Sequence, residues 1–143
     1  MTDPPAGYRQ LDHTADLALQ IWAPTEAEML SMGARAVVAI LTDEAEISDD
    51  DVREFAVDAI DSEDRLVQWL NDIIVAAIID GFLFAKVDAL ELDGDQPARL
   101  RARIRGQADA RERIVTELKS VTYHDLQLTA TGTRAECRVV IDV

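Results

Sequence analysis

Three short segments of the chain carry the residue types that could do chemistry. They are the run 11–16 (Leu-Asp-His-Thr-Ala-Asp), the run 119–124 (Lys-Ser-Val-Thr-Tyr-His) and the closing run 139–143 (Val-Val-Ile-Asp-Val). Each places ionisable or hydroxyl side chains in an apolar strand pattern, where such groups cost free energy unless they are partnered or used. Because the segments are nearly a whole chain length apart, we expect the fold to bring them together.

A catalytic Asp–His pair is the first chemistry that the run 11–16 suggests, through Asp12 and His13. No serine or cysteine is placed to complete a triad, and Cys137 falls inside the last strand pattern. We therefore favour a turn hydrogen bond for His13 and a strand-end cap for Asp12. The second histidine, His124, shares a strand face with two leucines, which predicts a hydrogen-bonded, partly buried side chain.

The elements that must position these residues follow from hydrophobic periodicity and capping signals. Thr25 and Glu28 form a capping box at the start of a first helix, and Asp61 or Ser62 caps a second helix that ends at Gly81. The second helix is apolar nearly all round in its later half, which predicts a central, buried element. Alternating segments predict strands at 8–11, 17–22, 53–59, 82–92, 98–107, 120–130 and 134–142.

The predicted order is ββ-α-β-α-ββ-ββ. It indicates an α+β fold in which two helices pack on an antiparallel or mixed β-sheet in two layers. A length of 143 residues predicts one domain, 1–143, with residues 1–7 as a loose lead-in. The strand order within the sheet does not follow from the pattern.

Composition narrows the classes of function. The net charge of −14 argues against broad, sequence-independent binding of RNA or DNA, and suits cation binding or docking onto a basic partner. The single cysteine excludes an internal disulfide and suits a reducing compartment. The longest apolar run, 73–79, is too short for a membrane span, and no signal-peptide plan is present at the N-terminus. We expect a cytoplasmic protein.

The register of the last hairpin predicts which residues meet at its open end. If Thr129 pairs with Arg134, then Asp142 lies opposite Val121, and Lys119 lies on the same face about 7 Å along the strand. Two interpretations stay open: a functional cluster, or a surface salt bridge between Lys119 and Asp142 that contributes roughly 0–1 kcal/mol.

Four arginines alternate with apolar residues in the strand at 98–107, so they share one face of the sheet. This basic stripe could contact RNA phosphates or an acidic partner surface. We favour the alternative, a solvated face that is balanced by cross-strand acids such as Asp88 and Glu91. The four residues are Arg99, Arg101, Arg103 and Arg105.

Taken together, the three segments resemble the signatures of the archease family. The resemblance extends from about Tyr8 to Val143 and includes the element order, the chain length and three motifs in the same order. It implies an archease-like domain that is an accessory protein and has no catalytic residues of its own. Archeases assist the GTP-dependent RNA-splicing ligase, promoting its guanylylation and multiple turnover in tRNA splicing and RNA repair.

The resemblance also implies a set of site residues. A divalent cation would be bound by Asp16, Asp142 and Val143, the last through a main-chain oxygen, and Lys119 together with Asp16 would activate the ligase. Such all-oxygen ligands suit Ca²⁺ or Mg²⁺, of which Ca²⁺ is the expected ion, and one cysteine with two histidines cannot form a closed zinc site. GTP would be bound only through the partner ligase.

The implied partners are an RNA-splicing ligase, with RNA or a tRNA-modifying enzyme as further candidates, and neither a membrane nor DNA. The alternative function is that of a general chaperone or modulator of RNA-modifying proteins, such as a tRNA methyltransferase. A chaperone should expose a sizeable apolar patch, and the alternating strands and capped helices predict no obvious one.

Overall fold

The computed structural model of the protein describes residues 3–12 and 16–143. Its elements follow the predicted order ββ-α-β-α-ββ-ββ, with one short 3₁₀ turn at Arg111–Arg113 before the last hairpin. The helices are α1 (Glu26–Thr42) and α2 (Ser62–Asp80); the strands are β1 (Gly7–Leu11), β2 (Leu17–Ala23), β3 (Asp51–Ala59), β4 (Leu83–Asp93), β5 (Ala98–Gln107), β6 (Ser120–Ala130) and β7 (Ala135–Asp142).

The capping signals in the sequence start and end the helices as predicted. The Glu28 N–H donates to the Thr25 hydroxyl oxygen at 3.1 Å, and the Asp64 N–H donates to the Asp61 carboxylate at 2.8 Å. These bonds satisfy N–H groups that have no partner within the first turn of a helix. Gly81 ends α2 with a φ of 71°, in the left-handed region that a residue without a Cβ adopts at little cost.

The strands form two antiparallel sheets. One has four strands in the order β1-β2-β7-β6, and the other has three in the order β3-β5-β4. The predicted α+β fold is confirmed. The four-stranded sheet is built from both ends of the chain, since β2 pairs with β7. This pairing brings the first and last motifs of the sequence to one sheet.

Both helices pack against the sheets around one continuous core. Trp69 of α2 lies at its centre, donating its indole N–H to the Leu30 carbonyl at 2.8 Å and meeting Phe55 edge to face at 5.7 Å. The prediction that α2 is a central element is therefore confirmed. Its later half is not buried all round, however, because Val75 and Ile79 are 53% and 64% exposed. No helix in the described part of the chain is long and apolar enough to cross a membrane.

Candidate functional site

The candidate site lies at the end of the two central strands of the four-stranded sheet. Leu17 of β2 pairs with Ile141 of β7. Asp16 directly precedes Leu17 and Asp142 directly follows Ile141, so the two aspartates lie next to each other at this end of the strand pair. Opposed residues of antiparallel strands have Cα atoms roughly 4.5–5.5 Å apart. Both aspartates are half-buried, and the 48%-exposed Val143 follows directly. The fold therefore brings together an acidic residue of the first motif and the acidic residue of the last.

The two aspartates form a site of uncompensated negative charge. Neither makes a hydrogen bond from its side chain or an ion pair with any residue of the described ranges. Like charges on opposed strand positions destabilise a sheet. A divalent cation between Asp16 and Asp142 would replace the repulsion between the two carboxylates by attraction of both to the ion. Carboxylate oxygens are among the ligands that Ca²⁺ and Mg²⁺ prefer.

Within the described ranges, no group of three or more His, Cys, Asp or Glu side chains lies close enough to hold a metal ion. A cation at this position would take two carboxylates and complete its coordination with main-chain oxygens and water. Ca²⁺ accepts six to eight oxygen ligands in flexible geometry, whereas Mg²⁺ requires a nearly regular octahedron. The donor set therefore fits Ca²⁺ better than Mg²⁺.

Lys119 is held next to this site by its backbone. Its N–H donates to the carbonyl oxygen of Asp142 at 2.8 Å. The side chain is exposed and makes no ion pair with any described carboxylate, so the salt bridge to Asp142 is not formed. The Lys119 backbone therefore lies beside Asp142, while its exposed ammonium group is paired with no described carboxylate.

The register of the last hairpin differs from the prediction. Thr129 pairs with Glu136, not with Arg134, because the turn is closed one residue later on each strand, by the pair Ala130 and Ala135. At the other end Ser120, not Val121, lies opposite Asp142. Lys119 therefore precedes the first paired residue of β6, and the predicted common face with Asp142 is wrong, although the two residues are neighbours.

Asn71 of α2 fixes the segment that carries Lys119, and nothing in the sequence pattern had indicated this role. The Val121 N–H donates to the Asn71 side-chain oxygen at 2.6 Å, and the Asn71 amide donates to the Val121 carbonyl at 3.1 Å. Because β6 is an edge strand, the backbone N–H and C=O of Val121 that point away from β7 have no neighbouring strand to bind. The Asn71 side-chain amide makes these two hydrogen bonds instead. The helix thus positions the start of β6.

Replacing Asn71 by aspartate should destabilise the protein by about 1–3 kcal/mol, because a carboxylate repels the Val121 carbonyl and leaves it unpaired. Urea denaturation followed by circular dichroism measures this change. Alanine at the same position should have a similar effect, since it removes both bonds. Variants that unfold within about 0.5 kcal/mol of the parent would show that the amide does not fix β6.

The remaining polar candidates do not form a catalytic set. His13 and its neighbours Thr14 and Ala15 lie outside the described residues, and Asp12 is exposed after β1. His124 is not partly buried as predicted: its side chain is 68% exposed, with Nε2 3.2 Å from the Asp125 carboxylate. The cause is a bulge in β6 that interrupts the inward–outward alternation on which the prediction depended.

Cys137 faces the core of the four-stranded sheet. Burial raises the pKa of its thiol to about 12, with a smaller contribution from the charge of Glu136. A thiol with this pKa is almost entirely protonated at neutral pH and does not act as a nucleophile.

Tyr123 and Asp64 form a second contact between β6 and α2 that the sequence had not indicated. The Tyr123 hydroxyl donates to the Asp64 carboxylate. This hydrogen bond lowers the pKa of Asp64 and, as its largest cause, raises the pKa of Tyr123 to about 12. The two residues are 59 positions apart, so only the packing of β6 on α2 brings them together.

The basic stripe on β5 is balanced as the favoured interpretation expected. Arg103 and Arg105 form ion pairs with Asp88, and Arg101 lies opposite Glu91 in the register. Arg99 lies between Asp58 and Asp93, 3.4 Å from each. These exposed pairs contribute little stability, and they leave the stripe close to neutral overall.

An exposed apolar groove, which the sequence had not predicted, lies next to Lys119. It has a volume of about 620 Å³, and its apolar lining includes Ile78, Ile114, Val115 and Leu118. Val115 is 69% exposed, and the exposed Ile79 follows Ile78 on α2. Contiguous exposed apolar side chains are typical of surfaces that bind other proteins.

Comparison with known proteins agrees with this fold. The Archease protein family matches residues 8–143. The archease of Methanosarcina barkeri is 30% identical over 139 residues, which cover 95% of each chain. The archease of Methanopyrus kandleri is 29% identical over 138 residues, covering 95% of this chain and 99% of the relative.

Solved structures show the same architecture. The solution structure of protein 1598 from Methanobacterium thermoautotrophicum superposes with a TM-score of 0.78 at 22% identity, covering 96% of this chain and 99% of that one. The crystal structure of an archease and possible chaperone from Thermotoga maritima has a TM-score of 0.59 at 25% identity, covering 100% and 98%. With the family match over residues 8–143, the chain belongs to the archease family.

Proposed function

We propose that this archease is an accessory protein that activates a GTP-dependent RNA-splicing ligase. It would promote guanylylation of the ligase and support multiple turnover in tRNA splicing and RNA repair, and it would act on the ligase instead of being a free-standing enzyme. The observation that carries the proposal is the meeting of Asp16, Asp142 and Lys119 at one end of the four-stranded sheet. None of the three side chains makes an ion pair with a described residue.

Asp16 and Asp142, with a main-chain oxygen of Val143, would bind one divalent cation, Ca²⁺ in preference to Mg²⁺. The support is the position of the two residues directly beyond the pair Leu17–Ile141 and the absence of a compensating cation among the residues described. When bound, such an ion supplies positive charge for phosphate oxygens. The half-buried position of both aspartates leaves one side of the site open to a docked partner.

Lys119 would act on the ligase through its charge. Guanylyl transfer develops negative charge on phosphate oxygens, and a positioned cation stabilises that charge. The Lys119 backbone is fixed by its bond to Asp142, and the following strand is fixed by Asn71, while the ammonium group remains exposed. The groove lined by Ile78, Val115 and Leu118 adjoins Lys119 and would supply apolar contact area for docking.

A guanylylation assay tests the proposal. A purified RNA-splicing ligase is incubated with labelled GTP, with and without this protein, and the labelled ligase is measured over time together with the number of ligated RNA products per ligase. We expect faster labelling and more products per ligase when the protein is present. If neither the labelling rate nor the product number changes, the proposed function is wrong.

The second candidate function is a general chaperone or modulator of RNA-modifying proteins, such as a tRNA methyltransferase. The exposed groove beside α2 is the observation that favours it, because a chaperone needs apolar surface. Light scattering of a heated methyltransferase distinguishes the two candidates. A chaperone would suppress aggregation of many clients and lose this ability in Val115→Ser, which changes a 69%-exposed residue of the groove. Ile60→Ser, which changes a 75%-exposed isoleucine after β3, would act as the control.

A further inference from the structure

A row of polar side chains crosses the outer face of the four-stranded sheet. Arg9, Gln20, Arg138 and Gln127 are directly opposed across β1, β2, β7 and β6. Directly opposed residues of antiparallel strands share a face. The alternate residues of β2 and β7 belong to the core, so this row lies on the side of the sheet turned away from the core.

A cavity lies along this row, just beyond a bulge in β6. Between the pairs Thr122–Val140 and Gln127–Arg138, four residues of β6 face a single residue of β7, and Asp125 adopts a φ of 52°. The cavity has a volume of about 400 Å³. Its side-chain lining is mainly polar: Gln20, Gln127, Thr129, Glu136 and Arg138, with Leu11 at one side.

Arg138 is the unsatisfied group of this cavity. Its Nε is fully buried and has no hydrogen-bond acceptor, and its guanidinium makes no ion pair with any residue that the structure describes. A buried donor on a charged group costs free energy when it has no acceptor. Native proteins almost always satisfy such groups, with protein atoms, water or a ligand.

The neighbouring charges do not satisfy Arg138. Glu136 is engaged by Gln20 and by Arg134, whose guanidinium lies 3.5 Å from it. Arg9, at the other end of the row, pairs with Asp3 at 2.7 Å. Of the two arginines in this row, Arg138 is therefore the one whose charge is paired with no described carboxylate.

We propose that this cavity binds a phosphate group through Arg138. The guanidinium presents a planar fork of N–H donors that matches phosphate oxygens. The Gln127 amide and the Thr129 hydroxyl, on the neighbouring strand, have no hydrogen-bond partner among the described residues and line the same cavity. The oxygens of a phosphate can accept hydrogen bonds from Arg138 on β7 and from Gln127 and Thr129 on β6 at the same time. A carboxylate has only two oxygens, and the Arg138 guanidinium alone occupies both.

The volume of the cavity allows two sources of the phosphate. Ligand pockets in proteins begin at roughly 300 Å³, so this cavity admits more than the free ion. Inorganic phosphate and the phosphate of a nucleoside monophosphate both present the required oxygens. The site is on the sheet face, built by Arg138, Gln127 and Thr129, and does not depend on the proposed ligase activation through Lys119.

Titration followed by backbone amide NMR tests this proposal with inorganic phosphate, AMP and acetate at constant ionic strength. We expect saturable phosphate binding, with the largest shifts at Gln127, Thr129 and Arg138. The variant Arg138→Gln should bind phosphate at least about tenfold more weakly, because it loses a charge-assisted, bidentate contact. Tighter binding of AMP than of phosphate would identify a nucleotide as the source, and equal affinity would identify the free ion.

The matched control is Arg101→Gln, which removes an arginine from the middle of the three-stranded sheet that likewise has no ion pair with a described residue. It should bind phosphate like the parent, as should Lys119→Ala. If Arg138→Gln does not fold, Gln127→Ala on the edge strand β6 replaces it and should weaken binding severalfold. The proposal is overturned by the absence of saturable phosphate binding, by acetate binding as tightly, or by unchanged affinity in folded Arg138→Gln or Gln127→Ala.

Discussion

Replacing Asp142 or Asp16 by asparagine should weaken the binding of Ca²⁺ by on the order of 100-fold, because each variant removes one of only two charged ligands. Isothermal titration calorimetry with Ca²⁺ and with Mg²⁺ measures the loss. The two carboxylates occupy consecutive positions beyond the pair Leu17–Ile141, so neither can be replaced by a neighbouring acid without a shift of register. Both single variants should therefore lose the site.

The same variants should change the free energy of unfolding, relative to the parent, in opposite directions with and without Ca²⁺. Without a divalent cation, the asparagine variants should be as stable as the parent or more stable, because they relieve repulsion between Asp16 and Asp142. With Ca²⁺ at about 100 times its dissociation constant, the parent should gain about 2.7 kcal/mol and the variants almost nothing. Melting curves recorded with Ca²⁺ and with a chelator measure both effects.

Asp95→Asn is the control for this pair, since it removes an exposed carboxylate from the turn between β4 and β5 in the other sheet. A non-specific attraction of Ca²⁺ to this acidic protein would be reduced equally by all three variants. A specific site is lost only in the variants of Asp16 and Asp142. Unchanged Ca²⁺ affinity in both of these would show that the cation is bound elsewhere or not at all.

The elements of the fold could be predicted because their signals are local. A capping box needs only Thr25 and Glu28, and a helix end needs only Gly81 with its left-handed backbone. Period-two alternation likewise marks a strand within a few residues. For these features, the residues that determine the structure are neighbours in the sequence, and tertiary packing agrees with them.

Strand order and register could not be predicted, because they depend on contacts between distant residues. The separation of the strands into two sheets follows from the pairing of β2 with β7, more than a hundred residues apart. The register of the last hairpin changes within β6. The turn-based estimate is two residues in error at Thr129, which keeps the faces, and one residue in error at Asp142, which inverts them. The exposure of His124 has the same cause.

The roles of the candidate site residues stay predictions. Asp16, Asp142 and Lys119 are assigned through the resemblance of their motifs, and the structure adds that their backbones lie at one end of the four-stranded sheet. Asn71 and the pair Tyr123–Asp64 carry no such signal, because a polar residue on a helix is ordinary until a strand packs beside it. Arg138 likewise resembles any outward residue of an alternating strand, and only the structure shows that its Nε is buried without an acceptor.

Replacing Lys119 by alanine should abolish most of the stimulation of ligase guanylylation and leave the protein folded. The side chain is exposed and has no ion pair in the described ranges, while its backbone bond to Asp142 does not depend on the side chain. The free energy of unfolding should therefore stay within about 0.5 kcal/mol of the parent. Loss of a preorganised charge at a developing phosphate anion costs on the order of 100-fold in rate.

Lys86 provides a matched control, because it is the other lysine of the chain, lies on β4 and has a side chain that is 53% exposed. Its ammonium is paired with Asp49 at 2.9 Å, whereas that of Lys119 is unpaired within the described chain. In the guanylylation assay, Lys86→Ala should stimulate the ligase like the parent. Lys119→Arg should restore only part of the rate, since a planar fork replaces a compact point charge. Full stimulation by a folded Lys119→Ala variant that still binds Ca²⁺ would remove this lysine from the mechanism and leave activation to the cation and the docking groove.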